Sequence, residues 1–243
     1  MRVSFTYRFN IYKSANETVI DEIKATNALF GDDLDFLVDS KIAIEEWLNS
    51  NVKNINDIEK YKRLFSNKTI SFFGDSLTSD KLGYRSLIEK SQIFNKVIDF
   101  SISGSNSSDC FKIVSRKAQK GLSDIAVIFI GTNDAMEYSG FPLVDDKTYY
   151  RNLFNCINIL KDNGIDVKLI NVPFVKLKNC QVFTAKINNA IKELASILDL
   201  DVFDANSLLV DKACHEIDDT HLLPEYQLLL CNEFLKWLYE KGK

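Results

Sequence analysis

The sequence of 243 residues contains few of the residues that mark metal centres and flexible linkers: two histidines, three prolines and nine glycines. Its five cysteines are odd in number and scattered, without a Cys-x-x-Cys pair, which argues against a zinc or dithiol redox site. We interpret them as reduced thiols of the core. No stretch rich in proline and glycine divides the chain, and no internal repeat is present.

Basic runs and long apolar runs are also missing. Lysine and arginine are interspersed with aspartate and glutamate, and the net charge is -4, so no basic face emerges that could bind a row of phosphates. We therefore expect no nucleic-acid partner. No apolar run is long enough to span a bilayer, and the start "MRVSFTYRFNIYK" lacks the apolar region of a signal peptide. These features predict a cytoplasmic protein without a membrane span.

From Lys68 onward, short runs of β-branched and aromatic residues alternate with helical patterns. This alternation is typical of βαβ units and of a parallel sheet with helices on both faces. The run "DIAVIFIG" is almost entirely Ile, Val and Phe, as expected for a strand buried on both faces. The predicted strands are residues 69–73, 96–102, 124–130, 166–172 and 200–203.

Apolar residues at three- and four-residue spacing predict helices around residues 150–160, 183–198 and 226–238. Gly164 follows the first of these and is a candidate C-terminal cap. The sequence therefore predicts an α/β fold with a central five-stranded parallel sheet, contained in residues 68–243.

Residues 1–67 are predicted to form a separate, mainly helical extension. Apolar and polar residues alternate strictly from Arg2 to Ile11, which predicts one half-buried strand. Helical patterns follow at residues 17–30, 33–48 and 55–65. The extension carries no chemical motif, so three roles stay open: a cap over a site, a contact for a homo-oligomer, or scaffold.

A serine lies at the end of the first predicted strand, in "TISFFGDSLTSD". Ligands of open α/β sheets bind outside the carboxyl ends of the strands, which is where Ser76 would lie. A serine hydroxyl is a poor nucleophile unless a base, a group that orients the base, and donors for the developing oxyanion are close to it.

The other parts of such a site are present at suitable positions. His221 follows Asp218 by three residues in "EIDDTHLLPEY", so the carboxylate can hold Nδ1–H while Nε2 points at Ser76. Gly104 in "SISGSNSSD" and Asn133 in "IFIGTND" follow the second and third predicted strands. Both are candidate oxyanion donors, through a backbone N–H and a side-chain amide.

Together these residues resemble the four sequence blocks of the SGNH, or GDSL, hydrolase family: Ser76 in Gly-Asp-Ser-Leu, Gly104, Asn133 in Gly-x-Asn-Asp, and His221 in Asp-x-x-His. The resemblance covers about Lys68 to the C-terminus. It implies a flavodoxin-like three-layer α/β/α sandwich and ester hydrolysis through an acyl-enzyme, without a metal or cofactor.

The resemblance also implies the roles of the residues. Ser76 would be the nucleophile, His221 the general base and acid, and Asp218 its orienting partner. The backbone N–H groups of Ser76 and Gly104 and the amide of Asn133 would form the oxyanion hole. The substrate would be a small acyl ester, and an O-acetyl ester of a carbohydrate is our best expectation, because the short segments between the blocks leave little material for an acyl tunnel.

Other interpretations stay open. A thioesterase, a lysophospholipase or an acyltransferase would use the same residues. In a non-catalytic, flavodoxin-like binding module, Ser76 would only cap a helix, and Gly104 with the serines after it would cradle a phosphate. The string "HEIDDTH" also offers metal ligands, but Asp219 stands where the zincin pattern requires its second histidine.

Overall fold

A parallel sheet forms the centre of the computed structural model, which describes residues 1–11, 13 and 21–243. In chain order the strands are β1 (Thr69–Gly74), β2 (Lys96–Asp99), β3 (Ile125–Phe129), β4 (Glu137–Tyr138), β5 (Phe141–Pro142), β6 (Asp166–Ile170) and β7 (Val202–Phe203). β4 and β5 form an antiparallel hairpin. The others form a five-stranded sheet in the order β2-β1-β3-β6-β7, with every pair parallel. The predicted sheet is therefore confirmed.

Helices surround this sheet. Within the described residues they are α1 (Phe5–Arg8), α2 (Glu22–Phe30), α3 (Leu34–Asn51), α4 (Ile58–Phe65), α5 (Ser76–Ser79), α6 (Tyr84–Ser91), α7 (Ser107–Lys117), α8 (Asp146–Asp162), α9 (Lys178–Leu198), α10 (Ala205–Leu209) and α11 (Pro224–Lys241). None of the helices in these residues is both long and apolar enough to cross a membrane.

The two faces of the sheet bury two separate hydrophobic clusters. Ile125, Val127 and Phe129 of β3 belong to one cluster, which also contains residues of α6 and α11. Ala126 and Ile128 belong to the other, with residues of α7, α8 and α9. Successive side chains of a strand point to opposite faces, so a strand covered on both faces needs the continuous apolar run that the sequence shows. The fold is the predicted three-layer α/β/α sandwich.

The predicted C-terminal cap at Gly164 is confirmed. Gly164 has a φ of 76°, and its N–H donates a hydrogen bond of 2.8 Å to the carbonyl oxygen of Lys161. A left-handed glycine just past the last helical turn accommodates a φ that other residues adopt with strain, which ends α8 before β6.

The prediction of an N-terminal strand is wrong. Phe5–Arg8 form the helical turn α1, which begins after Ser4, whose hydroxyl accepts the N–H of Tyr7 at 3.2 Å. Residues 7 to 10 are all buried, so burial does not alternate. A cap and tertiary contacts on several sides have overridden the alternating pattern. The later helical predictions are confirmed as α2 to α4, except that residues 17–20 of the first lie outside the described residues.

The N-terminal helices share a hydrophobic cluster with one face of the sheet. Leu37 and Ile44 of α3 and Phe65 of α4 are buried in the cluster that contains Ile70 and Phe72 of β1. An ion pair of 2.8 Å between Glu45 of α3 and Lys90 of α6 adds a polar contact. The division of the chain into residues 1–67 and 68–243 stays a prediction, but the two parts pack as neighbours around common apolar side chains.

Candidate active site

Ser76 is held at the carboxyl edge of the sheet by a tight turn. A Cβ on Gly74, the last residue of β1, would overlap the side chain of Thr78 and lie 2.8 Å from the carbonyl oxygen of Phe129, so only glycine fits there. Asp75 then caps α5, because its Oδ1 accepts the N–H of Leu77 at 2.9 Å. Ser76 is the first residue of that helix, and no carbonyl within the helix can accept its N–H.

His221 lies on a closed loop between α10 and α11. The N–H of Leu223 donates to the carbonyl oxygen of Cys214 at 2.8 Å, which closes the loop at its base. Inside it, Oδ1 of Asp218 accepts the N–H groups of Thr220 at 3.0 Å and of His221 at 2.9 Å. These local hydrogen bonds explain why an aspartate three residues before the histidine can face its ring.

The structure brings three of the predicted residues into one hydrogen-bonded chain. Nδ1 of His221 lies 2.5 Å from Oδ2 of Asp218, and Nε2 of His221 lies 2.8 Å from Oγ of Ser76. Burial raises the pKa of Asp218, but the hydrogen bonds from His221 and Thr220 lower it by more, so the pKa lies below its ordinary value. An ionised Asp218 favours Nδ1–H and leaves Nε2 free to accept the Ser76 proton.

Gly104 and Asn133 lie on the loops after β2 and β3, the two strands that flank β1. The loop of Gly104 is joined to the end of β1, because the N–H of Ile102 donates to the carbonyl oxygen of Gly74 at 3.0 Å. Nδ2 of Asn133 donates to the carbonyl oxygen of Ser105 at 2.8 Å, which joins the two loops. The role of both residues in an oxyanion hole stays a prediction.

The N-terminus of α7 does not offer the free donors that a phosphate cradle needs. The N–H of Ser107 donates to both carboxylate oxygens of Asp134, at 3.0 Å and 2.9 Å. The N–H groups of Ser108 and Asp109 donate to Oδ1 of Asn106, at 2.9 Å and 3.2 Å. These protein groups already satisfy the donors that would bind an anion, which disfavours the phosphate-binding interpretation.

The second histidine makes its hydrogen bonds outside the chain formed by Ser76, His221 and Asp218. Nε2 of His215 donates to the carbonyl oxygen of Phe174 at 2.7 Å, and burial lowers the pKa of His215. Among the described residues, no group of three or more His, Cys, Asp or Glu side chains is arranged to hold a metal ion.

Solved structures share this architecture at low sequence identity. A lipase/acylhydrolase from Enterococcus faecalis matches 72% of this chain and 96% of its own, with a TM-score of 0.61 and 19% identity. The acetyl xylan esterase AlAXEase matches 70% of this chain and 99% of its own, with a TM-score of 0.59 and 19% identity. An acetylxylan esterase from Geobacillus stearothermophilus matches 71% of this chain and 94% of its own, with a TM-score of 0.56 and 18% identity. No protein-family model matches the chain, and no curated protein matches it significantly.

The chain shares its fold with these acylhydrolase and acetyl xylan esterase structures. The fold that the four sequence blocks imply is therefore confirmed. At such low identities the likeness establishes the fold alone, so the chemistry of this chain has to be argued from its own side chains.

Two buried carboxyl groups, those of Asp75 and Asp134, belong to the residues next to Ser76 and Asn133 in the sequence. Burial, with a smaller contribution from the nearby Asp134, raises the pKa of Asp75 to about 7. Burial also raises the pKa of Asp134 to about 6. Among the described residues, Oδ2 of Asp75 and Oγ1 of Thr132 have no hydrogen-bond partner. Asp75 therefore holds a proton more readily than an exposed aspartate would.

Three residues beside the Ser76–His221 hydrogen bond were not predicted from the sequence. The rings of Phe5 and Phe9 lie 5.7 Å and 4.2 Å from the ring of His221, measured between centroids. Arg8 contacts the loops on either side of the Ser76–His221 hydrogen bond. Their sequence offered no signal for these contacts, because the alternating pattern placed Arg8 on the solvent face of a strand.

Proposed function

We propose that this protein is a serine ester hydrolase in which Ser76 attacks the ester, His221 moves the proton and Asp218 orients His221. The observation that carries the proposal is the unbroken chain from Oγ of Ser76 through the ring of His221 to Oδ2 of Asp218. A serine that only capped a helix would not need a histidine at 2.8 Å, itself paired to a carboxylate.

The first half of the reaction follows from these contacts. Oγ of Ser76 attacks the carbonyl carbon of the ester while Nε2 of His221 takes its proton. The tetrahedral intermediate then collapses, the bond to the alcohol oxygen breaks, and the imidazolium of His221 gives its proton to the leaving alcohol. Asp218 stabilises the imidazolium and keeps it in the orientation that faces Ser76. The product is an acyl group on Oγ of Ser76.

Water completes the cycle by the same route in reverse order. His221 removes a proton from a water molecule that attacks the acyl carbon, and it then protonates Oγ of Ser76 as the acid leaves. In both halves, the N–H groups of Ser76 and Gly104 and the amide of Asn133 would donate to the oxyanion. Three donors on adjacent loops suit this role because the oxyanion forms at the edge where those loops meet.

For the substrate, we propose a small acyl group, with an O-acetyl ester of a carbohydrate as the first candidate. Two of the structural neighbours named above are acetyl xylan esterases, which supports an acetyl ester. Short segments between the sequence blocks also support a small acyl group, because they leave little chain to enclose a long one.

The experiment is intact-mass analysis after incubation with a fluorophosphonate, on the protein and on Ser76→Ala. We expect one adduct that is absent from the variant, since only an activated serine displaces fluoride from the probe. A panel of acetyl, butyryl, octanoyl and longer esters then measures the preferred acyl length. No adduct on the folded protein would favour a binding module, and equal rates for acetyl and octanoyl esters would contradict the small acyl group.

A further inference from the structure

The N-terminal turn α1 touches both loops that carry the proposed reacting groups. Nε and Nη2 of Arg8 donate to Oδ1 and Oδ2 of Asp80, each at 2.9 Å, just after the helix that begins with Ser76. Nη1 of Arg8 donates to Glu216 at 2.9 Å, and Nη2 also reaches the carbonyl oxygen of Leu222 at 3.3 Å, both on the His221 loop. One guanidinium therefore joins the Ser76 side of the site to the His221 side.

This guanidinium is held in a low-dielectric environment. The side chain of Arg8 is 9% exposed and that of Asp80 is fully buried, while Glu216 is 28% exposed. Two parallel N–H···O bonds to one carboxylate fix both the distance and the angle of the pair, which a lysine cannot do. Arg8 thus sets a defined spacing between Asp80 and the loop of His221.

Hydrogen bonds to backbone carbonyl oxygens keep α1 in this position. The N–H of Lys81 donates to the carbonyl oxygen of Arg8 at 2.9 Å, and Oγ of Ser79 donates to that of Phe9 at 3.1 Å. Nδ2 of Asn10 donates to the carbonyl oxygen of Ser79 at 2.6 Å. The N-terminal turn and the end of α5 therefore form one hydrogen-bonded unit.

The same turn supports the imidazole of His221. Phe5 and Phe9 are four residues apart, so a helical turn places both on one face, and both rings contact His221. Phe9 is 1% exposed and its ring lies 4.2 Å from the imidazole, so it fills the space into which the ring would otherwise rotate.

We propose that α1 completes the active site, with Arg8 as a positioning residue that holds His221 at hydrogen-bond distance from Ser76. The inference rests on the proposed function and extends it, since it assigns the N-terminal segment a part in the reaction. Arg8 acts through the two loops and does not touch the ester. Small displacements of a reacting group lower the rate steeply while substrate binding is kept, so kcat should depend on Arg8 and KM should not.

The test compares Arg8→Lys and Glu216→Gln with the control Glu45→Gln. Arg8→Lys keeps a positive charge beside Asp80 but loses the two-pronged contact, and Glu216→Gln weakens only the contact to the His221 loop. The control alters another ion pair of the N-terminal segment, Glu45 with Lys90, which joins α3 to α6. All variants are checked for their melting temperature.

We expect Arg8→Lys and Glu216→Gln to lower kcat and the rate of fluorophosphonate labelling by about tenfold to a hundredfold. KM should change little, and the control should behave as the unmodified protein. The double variant should be about as slow as Arg8→Lys alone, because both changes disrupt the same connection between Arg8 and the His221 loop. Loss of activity only in proportion to a lower melting temperature would overturn the proposal.

A second measurement does not depend on activity. The chain has two histidines, so NMR shows two Cε1–H signals, and a His215→Asn variant assigns them. The rings of Phe5 and Phe9 lie close enough to the imidazole that their ring currents should shift the His221 signal, and Arg8→Lys should move that signal while Glu45→Gln leaves it in place. An unmoved signal together with unchanged labelling would overturn the proposal. If the unmodified protein formed no adduct, the proposed function would fail, whereas the signal would still decide whether Arg8 positions His221.

Discussion

Nε2 of His221 lies 2.8 Å from Oγ of Ser76, although 145 positions of sequence separate the two residues. The helix that follows His221 explains how this distance is maintained. Gln227 of α11 is fully buried, accepts the N–H of Tyr84 at 3.1 Å and reaches the carbonyl oxygen of Leu77 at 3.5 Å. The helix that follows the histidine is therefore hydrogen-bonded directly to residues that follow the serine.

Asp218→Asn should nearly abolish turnover. Asparagine would present an amide N–H to Nδ1 of His221, so the ring would carry its proton on Nε2 and could not accept the proton of Ser76. In the serine-protease triad this exchange lowers kcat by about 10⁴-fold, and we expect a similar loss here. Steady-state kinetics on an acetyl ester measures it.

The neighbouring carboxylate provides a matched control. Asp219 has a φ of 57°, which asparagine tolerates, and its ion pair with Lys176 spans 3.7 Å between partly exposed groups. Asp219→Asn should therefore leave kcat unchanged. A silent Asp218→Asn with a damaging Asp219→Asn would show that the partner of His221 is assigned to the wrong residue.

The sheet and the Ser76–His221 chain could be predicted because their signals are local. The run Ile125–Phe129 shows a strand buried on both faces, and Ser76, Gly104 and Asn133 each follow a strand within a few residues. In a parallel sheet, that position alone places them on one edge. Asp218 and His221 are close enough in sequence for one turn to join them.

The N-terminal segment could not be predicted in the same way. Its alternating pattern fits a strand as well as it fits a short turn with both sides buried. The contacts that decide between the two are the bonds of Arg8 to Asp80 and Glu216, which span 72 and 208 positions of sequence. No local pattern reports such a contact, so the position of α1 between the Ser76 side and the His221 loop could be found only in the three-dimensional structure.

Asn133→Ala should lower kcat by about 10²- to 10³-fold without unfolding the protein. The change removes a donor that would act on the oxyanion, which is fully charged only in the tetrahedral state, so KM should change little. It also removes the hydrogen bond from Nδ2 of Asn133 to the carbonyl oxygen of Ser105. Thermal unfolding measured beside kcat separates the two effects, and a kcat within twofold of the original would exclude Asn133 from the oxyanion hole.

Gly104→Ala should affect both stability and activity. Gly104 has a φ of 80°, and an added Cβ would meet no atom within 4 Å, so the change acts through the backbone. The strain of a left-handed alanine should cost about 1–2 kcal/mol of unfolding free energy. Relief of that strain would turn the N–H of residue 104 away from the oxyanion and lower kcat.

Gly121→Ala controls for strain alone. Gly121 also has a φ of 80° and open space around its Cβ position, but it lies between α7 and β3, away from the strand ends that carry the site. The two alanine variants should lose similar stability in urea unfolding, and only Gly104→Ala should lose activity. Equal kcat values in both variants would argue that the N–H of Gly104 has no role in the reaction.

Asp75→Asn should stabilise the protein in a pH-dependent way. Burial raises the pKa of Asp75 to about 7 in the folded protein, whereas the unfolded chain releases the proton near a pKa of about 3.9. Between these values the folded state binds more protons, so the free energy of unfolding falls as the pH rises. The stabilisation that the bound proton contributes is complete below the pKa of the unfolded chain. It is lost as the pH rises through the pKa of the folded protein.

The Asp75→Asn variant has no such proton to lose. Asparagine can still accept the N–H of Leu77, and its amide can donate to the hydroxyl of Thr132, whose side chain acts on the carboxyl of Asp75 and lowers its pKa. At pH 8 it should exceed the unmodified protein in unfolding free energy by on the order of a few kcal/mol, with the gap closing toward pH 4. Urea unfolding across this pH range measures the difference.

Asp145→Asn supplies a control of opposite sign for this experiment. Asp145 caps α8, and the hydrogen bonds from Thr148 hold its pKa below the ordinary value, so its ionised form stabilises the folded state. The stabilisation is present above the unfolded pKa and is lost as the pH falls through the folded one. Asp145→Asn should therefore be less stable than the unmodified protein at pH 8 and converge with it in acid. If Asp75→Asn were also less stable than the unmodified protein at pH 8, Asp75 would be ionised in the folded protein at neutral pH. A protonated carboxyl at Asp75 would then be ruled out.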